Sequence, residues 1–191
     1  MTETEHIARW VVPGARVLDL GCGDGTLLRH LWQTRQAPGY GVEIDDAQVL
    51  ECIRNDVNVL QMDLEDGLSA FQDRSFDYVI LSETLQAIRH QEALIREMLR
   101  VGHEAIVSFP NFGFWKARLQ IAFGGHMPVS EELPYQWYDT PNLHHCTLID
   151  FEDLCAKLGL RILERQVLHR GRPVDCLPNL LGSLAVYRVS A

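Results

Sequence analysis

The sequence predicts an α/β fold, with a mostly parallel sheet covered by helices on both faces. Three observations carry this. Short apolar runs alternate with helix-period stretches from residue 15 to residue 109, the spacing of βαβ units. A glycine-rich turn, "DLGCGDG" (19–25), follows the first apolar run and opens a helix. The chain, at 191 residues, is long enough for one domain, residues 1–191, with a full core.

Each element has a local reason. Ile7, Trp10 and Val11 stand at i, i+3, i+4 and read as a short amphipathic helix ended by Pro13-Gly14. "ARVLDL" is the first strand. Leu27, Leu28, Leu31 and Trp32 then make one face of a helix. "APGYGVEI" (37–44) is a second strand, and "DDAQVLECIRN" (45–55) a helix that starts on an aspartate cap. "VNVLQM" (57–62), "FDYVIL" (76–81) and "EAIVSF" (104–109) are strands three to five, with a helix between the last two marked by Leu94, Ile95, Met98 and Leu99. "TLIDFEDLCAKLGL" reads as a helix that begins near Thr147 and ends near Gly159, followed by two strands, "RILERQVL" (161–168) and "SLAVYRV" (183–189).

Composition excludes several classes. A net charge of -9 argues against nucleic-acid binding and against an anionic membrane surface. No apolar run approaches a membrane span, and the acidic start "MTETE" is unlike a signal peptide. Five cysteines without a C-x-x-C pair point to a reducing, cytoplasmic setting, without disulfides or a zinc site.

The glycine motif is the chemical signal. Asp19-x-Gly21-x-Gly23-x-Gly25 is not the G-x-G-x-x-G of a dinucleotide fold: the third glycine comes one residue early and an acid precedes the first. That acid would repel a pyrophosphate and suits an ammonium or a sulfonium. Glu43, at the end of the second strand, can accept both hydroxyls of a ribose. Asp63, at the end of the third, can accept from an adenine amino group. An amino-acid head, a ribose and an adenine together describe S-adenosylmethionine. Asp45 and Asp46 read better as a helix cap than as ribose ligands. Cys22 has no activating base beside it and reads as a small filler.

"VLDLGCGDG", "GVEID", "QMDLEDG" and "DRSFDYVILS" together resemble the cofactor motifs of class I S-adenosylmethionine-dependent methyltransferases. The resemblance implies a doubly wound, Rossmann-like sheet of seven strands whose last strand runs antiparallel. It also implies that Asp19, Gly21, Cys22, Gly23, Gly25, Glu43, Ile44, Met62, Asp63, Leu64 and Ser82 border S-adenosylmethionine or S-adenosylhomocysteine.

The second half names no catalytic residue. The fourth strand runs into "LSETLQAI" rather than the N-P-P-[YF] of amino-group methyltransferases, and "FPNF" (109–112) lacks the paired prolines. An insertion at 110–146 is rich in aromatics: residues 112–138 hold seven of the sixteen in the chain. It reads equally as a lid on the core or as a partner's anchor patch. His144, His145 and Cys146 lack a further ligand at metal-site spacing. Lys116 and Arg118 read as solvated.

"IARWVVPGARVLDLGCGDGTLL", "PNFGFWKARLQIAFGGHMPVSEELPYQWYDTPNLHHCTLIDFEDLC" and "GSLAVYRV" resemble the methionine biosynthesis family MetW, with Glu83 where the family pattern S-Q-T-L-Q has glutamine. That resemblance implies a role beside the homoserine O-acyltransferase MetX. Two functions stay open: a ligand-binding partner that supports or regulates the acyltransferase, and a methyltransferase acting on a small molecule.

Overall fold

A computed structural model describes residues 2–130 and 133–191. The strands are β1 (Val17–Leu20), β2 (Gly39–Glu43), β3 (Val59–Gln61), β4 (Phe76–Leu81), β5 (Gly102–Pro110), β6 (Arg161–His169), β7 (Arg172–Pro173) and β8 (Leu184–Ser190). The helices are α1 (Glu3–Trp10), α2 (Thr26–Arg35), α3 (Asp46–Arg54), α4 (Gln91–Val101), α5 (Trp115–Leu119), α6 (Leu148–Leu158) and α7 (Pro178–Leu181). One sheet runs in the order β3-β2-β1-β4-β5-β8-β6-β7. The first five strands pair in parallel, and β8 enters antiparallel between β5 and β6.

Side chains alternate across each strand, and two buried clusters result. Leu18, Leu20, Val79, Leu81 and Val107 pack with Leu94 and Met98 of α4 and Phe151 of α6. Val17, Ile80 and Ile106 pack on the other face with Ile7 of α1 and Leu28 and Leu31 of α2. The chain winds outward from β1 to β3, then returns to lay β4 against the other side of β1. That reversal opens a crevice beyond the carboxyl ends of the strands, the usual ligand site of such sheets.

Two local expectations need correcting. Trp32 does not share the buried face of α2. It is 59% exposed and lies along a shallow groove with Leu28, Ala37 and Pro38, so the buried stripe of α2 is narrower than the periodicity implies: Leu27, Leu28 and Leu31 fill it. The sheet also gains an eighth strand. Arg170 and Gly171, both at positive φ (50° and 71°), turn the chain back so that Leu168 pairs with Pro173. This is hairpin-turn chemistry, and a proline at the sheet margin fits an edge strand.

The caps follow the sequence. Asp45 accepts the Gln48 N–H at 3.0 Å to start α3. Thr147 and Asp150 form a reciprocal capping box on α6, which ends on Gly159 at φ 71°.

Candidate functional site

The crevice holds a cavity of about 310 Å³ lined by Gly21, Val42, Glu43, Ile44, Met62, Asp63, Leu64, Glu65, Thr84, Ala87 and Ile88, the size of a small-molecule pocket. Each group lies just past a strand: Gly21 after β1, Glu43 and Ile44 at the end of β2, Met62 to Glu65 after β3, Thr84 to Ile88 after β4. Six of the expected site residues therefore meet around one volume.

The glycine turn is built by backbone geometry. Gly21, Gly23 and Gly25 all have positive φ (70°, 55° and 79°), where a side chain is strained. The Gly21 and Cys22 N–H groups donate to the Val42 carbonyl at 2.8 and 3.1 Å. A Cβ on Gly21 would stand 2.6 Å from Thr84 Oγ1, and one on Gly25 would stand 2.9 Å from Val57 Cγ2. Gly25 then leads straight into α2 without a side-chain cap.

Glu43 clamps this turn. Its Oε2 accepts the Gly23 N–H at 2.9 Å, and its Oε1 accepts the N–H groups of Ile44 and Asp45 at 2.8 and 3.0 Å. One carboxylate thus fixes both the glycine turn and the exit from β2. Asp63 accepts the Glu65 N–H at 2.9 Å, starting a short 3-10 turn over Leu64–Asp66.

Asp19, two residues before Gly21 on β1, is buried behind the glycine turn, 2% exposed, and does not itself line the cavity. Its Oδ1 has no hydrogen-bond partner. Burial, then the charges of Glu3 and Glu43, push its carboxyl up to about 7. In a buried carboxylate with an unpaired oxygen and two acidic neighbours, a nearby cation would favour the ionised form.

Five expected residues lie off the cavity lining: Asp19, Gly23, Gly25, Cys22 and Ser82. Cys22 packs its Sγ 3.7 Å from Cys52 Sγ, and Cys52 Sγ donates to the Gly23 carbonyl at 3.0 Å. Burial pushes both thiols up, so neither is poised as a nucleophile. The Ser82 hydroxyl donates to Glu3 Oε1 at 2.8 Å and accepts from the Ser108 hydroxyl at 3.3 Å.

Sequence reasoning missed three contributors. Glu3 brings a carboxylate from α1 across to Ser82, a contact 79 residues long in sequence that no local pattern reveals. Gly41 is needed because a Cβ there would stand 2.3 Å from Cys22 Sγ. Thr84 to Ile88 form the fourth wall; "SETLQAI" was legible only as a strand end. Asn111 of "FPNF" is structural: its Nδ2 donates to the carbonyls of Asn179 and Gly182, and its Oδ1 accepts the Gly113 N–H. Among the described residues no His, Cys, Asp and Glu cluster could hold a metal ion, and His145 instead stacks on Phe112 at 4.8 Å. No helix among them is long and apolar enough to cross a membrane.

Residues 2–189 match the family described as "Methionine biosynthesis protein MetW". This chain belongs to the MetW family. A MetW-containing relative, the "Bifunctional methionine biosynthesis protein MetXA/MetW" of Rhodopirellula baltica, is 36% identical over 96% of this chain. The chain spans only 32% of that relative's length. In fold, this MetW chain is similar to a SAM-dependent methyltransferase from Archaeoglobus fulgidus (TM-score 0.73, 14% identity, 98% of this chain and 90% of that one). It is also similar to an S-adenosylmethionine-dependent methyltransferase from Mesorhizobium loti (TM-score 0.70, 18% identity, 98% and 100%). The [4+2]-cyclase SpnF shares the fold too (TM-score 0.65, 20% identity, 88% and 59%), so the fold alone does not name a reaction.

Proposed function

We propose that this chain binds S-adenosylmethionine or S-adenosylhomocysteine in the crevice, and through it supports or regulates a homoserine O-acyltransferase. The residues fit the ligand. Asp19 would face the ammonium and Asp63 the adenine amino group, and Glu43, with three acceptor positions already on backbone N–H groups, would have one left for a ribose hydroxyl. The apolar walls of Ile44, Met62 and Leu64 suit a flat base. A phosphate-bearing cofactor does not fit, because Asp19 and Glu43 can only accept hydrogen bonds when ionised. The observation that carries the role is the relative in which a MetXA part and a MetW part share one chain. Fusion keeps two modules at high effective concentration.

The test is to mix the purified protein with the homoserine O-acyltransferase of the same organism, then measure complex formation and acyl transfer with and without S-adenosylmethionine. Association with a changed rate is expected. No association and no change in rate would overturn the reading.

A second reading is a methyltransferase for a small molecule, favoured by similarity to solved methyltransferases over 98% of the chain. S-adenosylmethionine, when bound, supplies a methyl group on a sulfonium. The chain's own contribution would be to hold that group in line with an acceptor. Incubating labelled S-adenosylmethionine with a metabolite extract tests this; a labelled small molecule is expected, and an unlabelled extract would overturn it.

A further inference from the structure

We infer that the exposed aromatic face of residues 119–130 and 133–143 is the surface on which the acyltransferase docks, and that this face is linked to the ligand crevice through Gln86. The inference rests on the partner reading above and names the surface and the link.

The face is apolar and outside the core. Phe123 is 85% exposed, Trp137 72% and Tyr138 71%, with Tyr135, Leu143 and Ile121 also exposed. None of the described residues between 119 and 143 belongs to either buried cluster. Isolated exposed apolar side chains are ordinary; a run of them rich in Trp, Tyr and Phe has the makeup of a binding hot spot.

The segment is held as a display. After α5 the chain takes a single π-helical turn, Gln120–Gly124, and leaves it through Gly125 at φ 66°. The Gln120 amide then bonds back to both the N–H and the carbonyl of Val129. The Ser130 N–H donates to the Leu133 carbonyl at 2.9 Å. These ties fix the backbone while leaving the large side chains outward.

Its chemistry selects the occupant. Residues 119–143 contain no Lys or Arg, and the chain is strongly acidic, which disfavours an anionic membrane. A second copy would bring a like net charge. A protein partner with a neutral, apolar counter-surface fits. The fused relative carries a MetXA part in the same chain, and this chain spans only 32% of that relative's length.

The far end of the segment reaches the ligand site. The N–H groups of Leu143 and His144 both donate to the Gln86 carbonyl, at 2.8 and 3.1 Å. Gln86 lies in the 3-10 turn Leu85–Ala87, and its neighbours Thr84, Ala87 and Ile88 line the crevice. The Gln86 side chain is 1% exposed, with neither Oε1 nor Nε2 hydrogen-bonded. A buried amide without partners is costly, so this junction gains from any rearrangement that pairs it. Ligand against Ala87 and partner on 119–143 pull on the same turn.

The experiment measures the affinity of the homoserine O-acyltransferase for the wild-type chain and for Phe123→Ser/Trp137→Ser by surface plasmon resonance, with and without saturating S-adenosylmethionine. Loss of two exposed aromatic anchors is expected to weaken binding by about 100-fold, with S-adenosylmethionine affinity unchanged. For the wild type, the ligand is expected to shift acyltransferase affinity by at least about fivefold. If wild type binds and the variant binds equally well, the surface is wrong. If it binds with no shift on adding ligand, the link is wrong. If wild type does not bind at all, the partner reading itself fails. Sedimentation of each chain alone is the control: a wild-type dimer that the variant dissolves assigns the face to a second copy and overturns the inference. Should the first variant not fold, Tyr135→Ser/Tyr138→Ser tests the same face.

Discussion

Asp19→Asn is expected to stabilise the ligand-free protein and to weaken ligand binding. The carboxyl is raised from 3.8 to about 7, first by burial and then by Glu3 and Glu43. The folded chain therefore holds this proton to higher pH than the unfolded chain. Stability is lost as pH rises from about 4 to about 7, because over that range the unfolded state releases a proton that the folded state keeps. A difference of about three pH units corresponds to about 4 kcal/mol for holding Asp19 ionised in the fold. Asparagine has nearly the same shape and never carries the charge. The stability of Asp19→Asn minus that of wild type should thus be small at pH 4 and grow by up to about 4 kcal/mol by pH 8. Urea unfolding across that pH range measures the difference directly, with the other titrating groups common to both chains. Calorimetry should show the reverse for function: wild-type affinity for S-adenosylmethionine rises with pH up to about 7, and Asp19→Asn loses both affinity and that slope. A stability difference that stays flat from pH 5 to pH 8 would refute the reasoning about the buried Asp19.

Three further outcomes follow from the contacts. Glu43→Ala removes the acceptor of three backbone N–H groups; it should cost about 2 kcal/mol, read as a lowered melting temperature, and weaken S-adenosylmethionine at least tenfold by calorimetry. Gly41→Ala puts a Cβ 2.3 Å from Cys22 Sγ and should cost about 1–3 kcal/mol by urea unfolding. Adding Cys22→Ala should recover part of that loss, and strict additivity of the two changes would sink the explanation. Asn111→Ala breaks three hydrogen bonds just past β5, two of them buried; it should cost about 3 kcal/mol while leaving S-adenosylmethionine affinity within about twofold, and a large loss of affinity at unchanged stability would mean that Asn111 serves the ligand.

The parts of this architecture legible in the sequence are those made by neighbours in the chain. "FDYVIL" spans the same residues as β4, and Thr147 and Gly159 cap α6 where their chemistry says they should. The Gly21, Glu43 and Asp63 side of the crevice was legible because each residue ends a strand, and strand ends of a parallel sheet converge. Glu3 was not, since its meeting with Ser82 depends on α1 crossing to the carboxyl end of β4. Gly41 looked like an ordinary strand residue, because its reason is a thiol from another loop. Trp32 misled for a different cause: helical periodicity says which residues share a face but not how wide the buried stripe of that face is, and on α2 it covers Leu27, Leu28 and Leu31 alone.

The charge arrangement carries a last consequence. Glu3, Asp19 and Glu43 come from α1, β1 and β2, and two of them raise the third. Without a cation the fold bears this repulsion as lost stability; with one, the repulsion becomes attraction. Binding should therefore stabilise the protein by more than simple occupancy at low pH affinity would suggest, and the gain should be largest above pH 7, where Asp19 is ionised in either state. A neutral analogue should gain less. S-adenosylhomocysteine lacks the sulfonium charge but keeps the ammonium, so comparing the thermal shift given by the two ligands at pH 8 separates the groups. Equal shifts would place the whole effect on the ammonium beside Asp19, and a larger shift with S-adenosylmethionine would mean that the carboxylates also read the sulfonium.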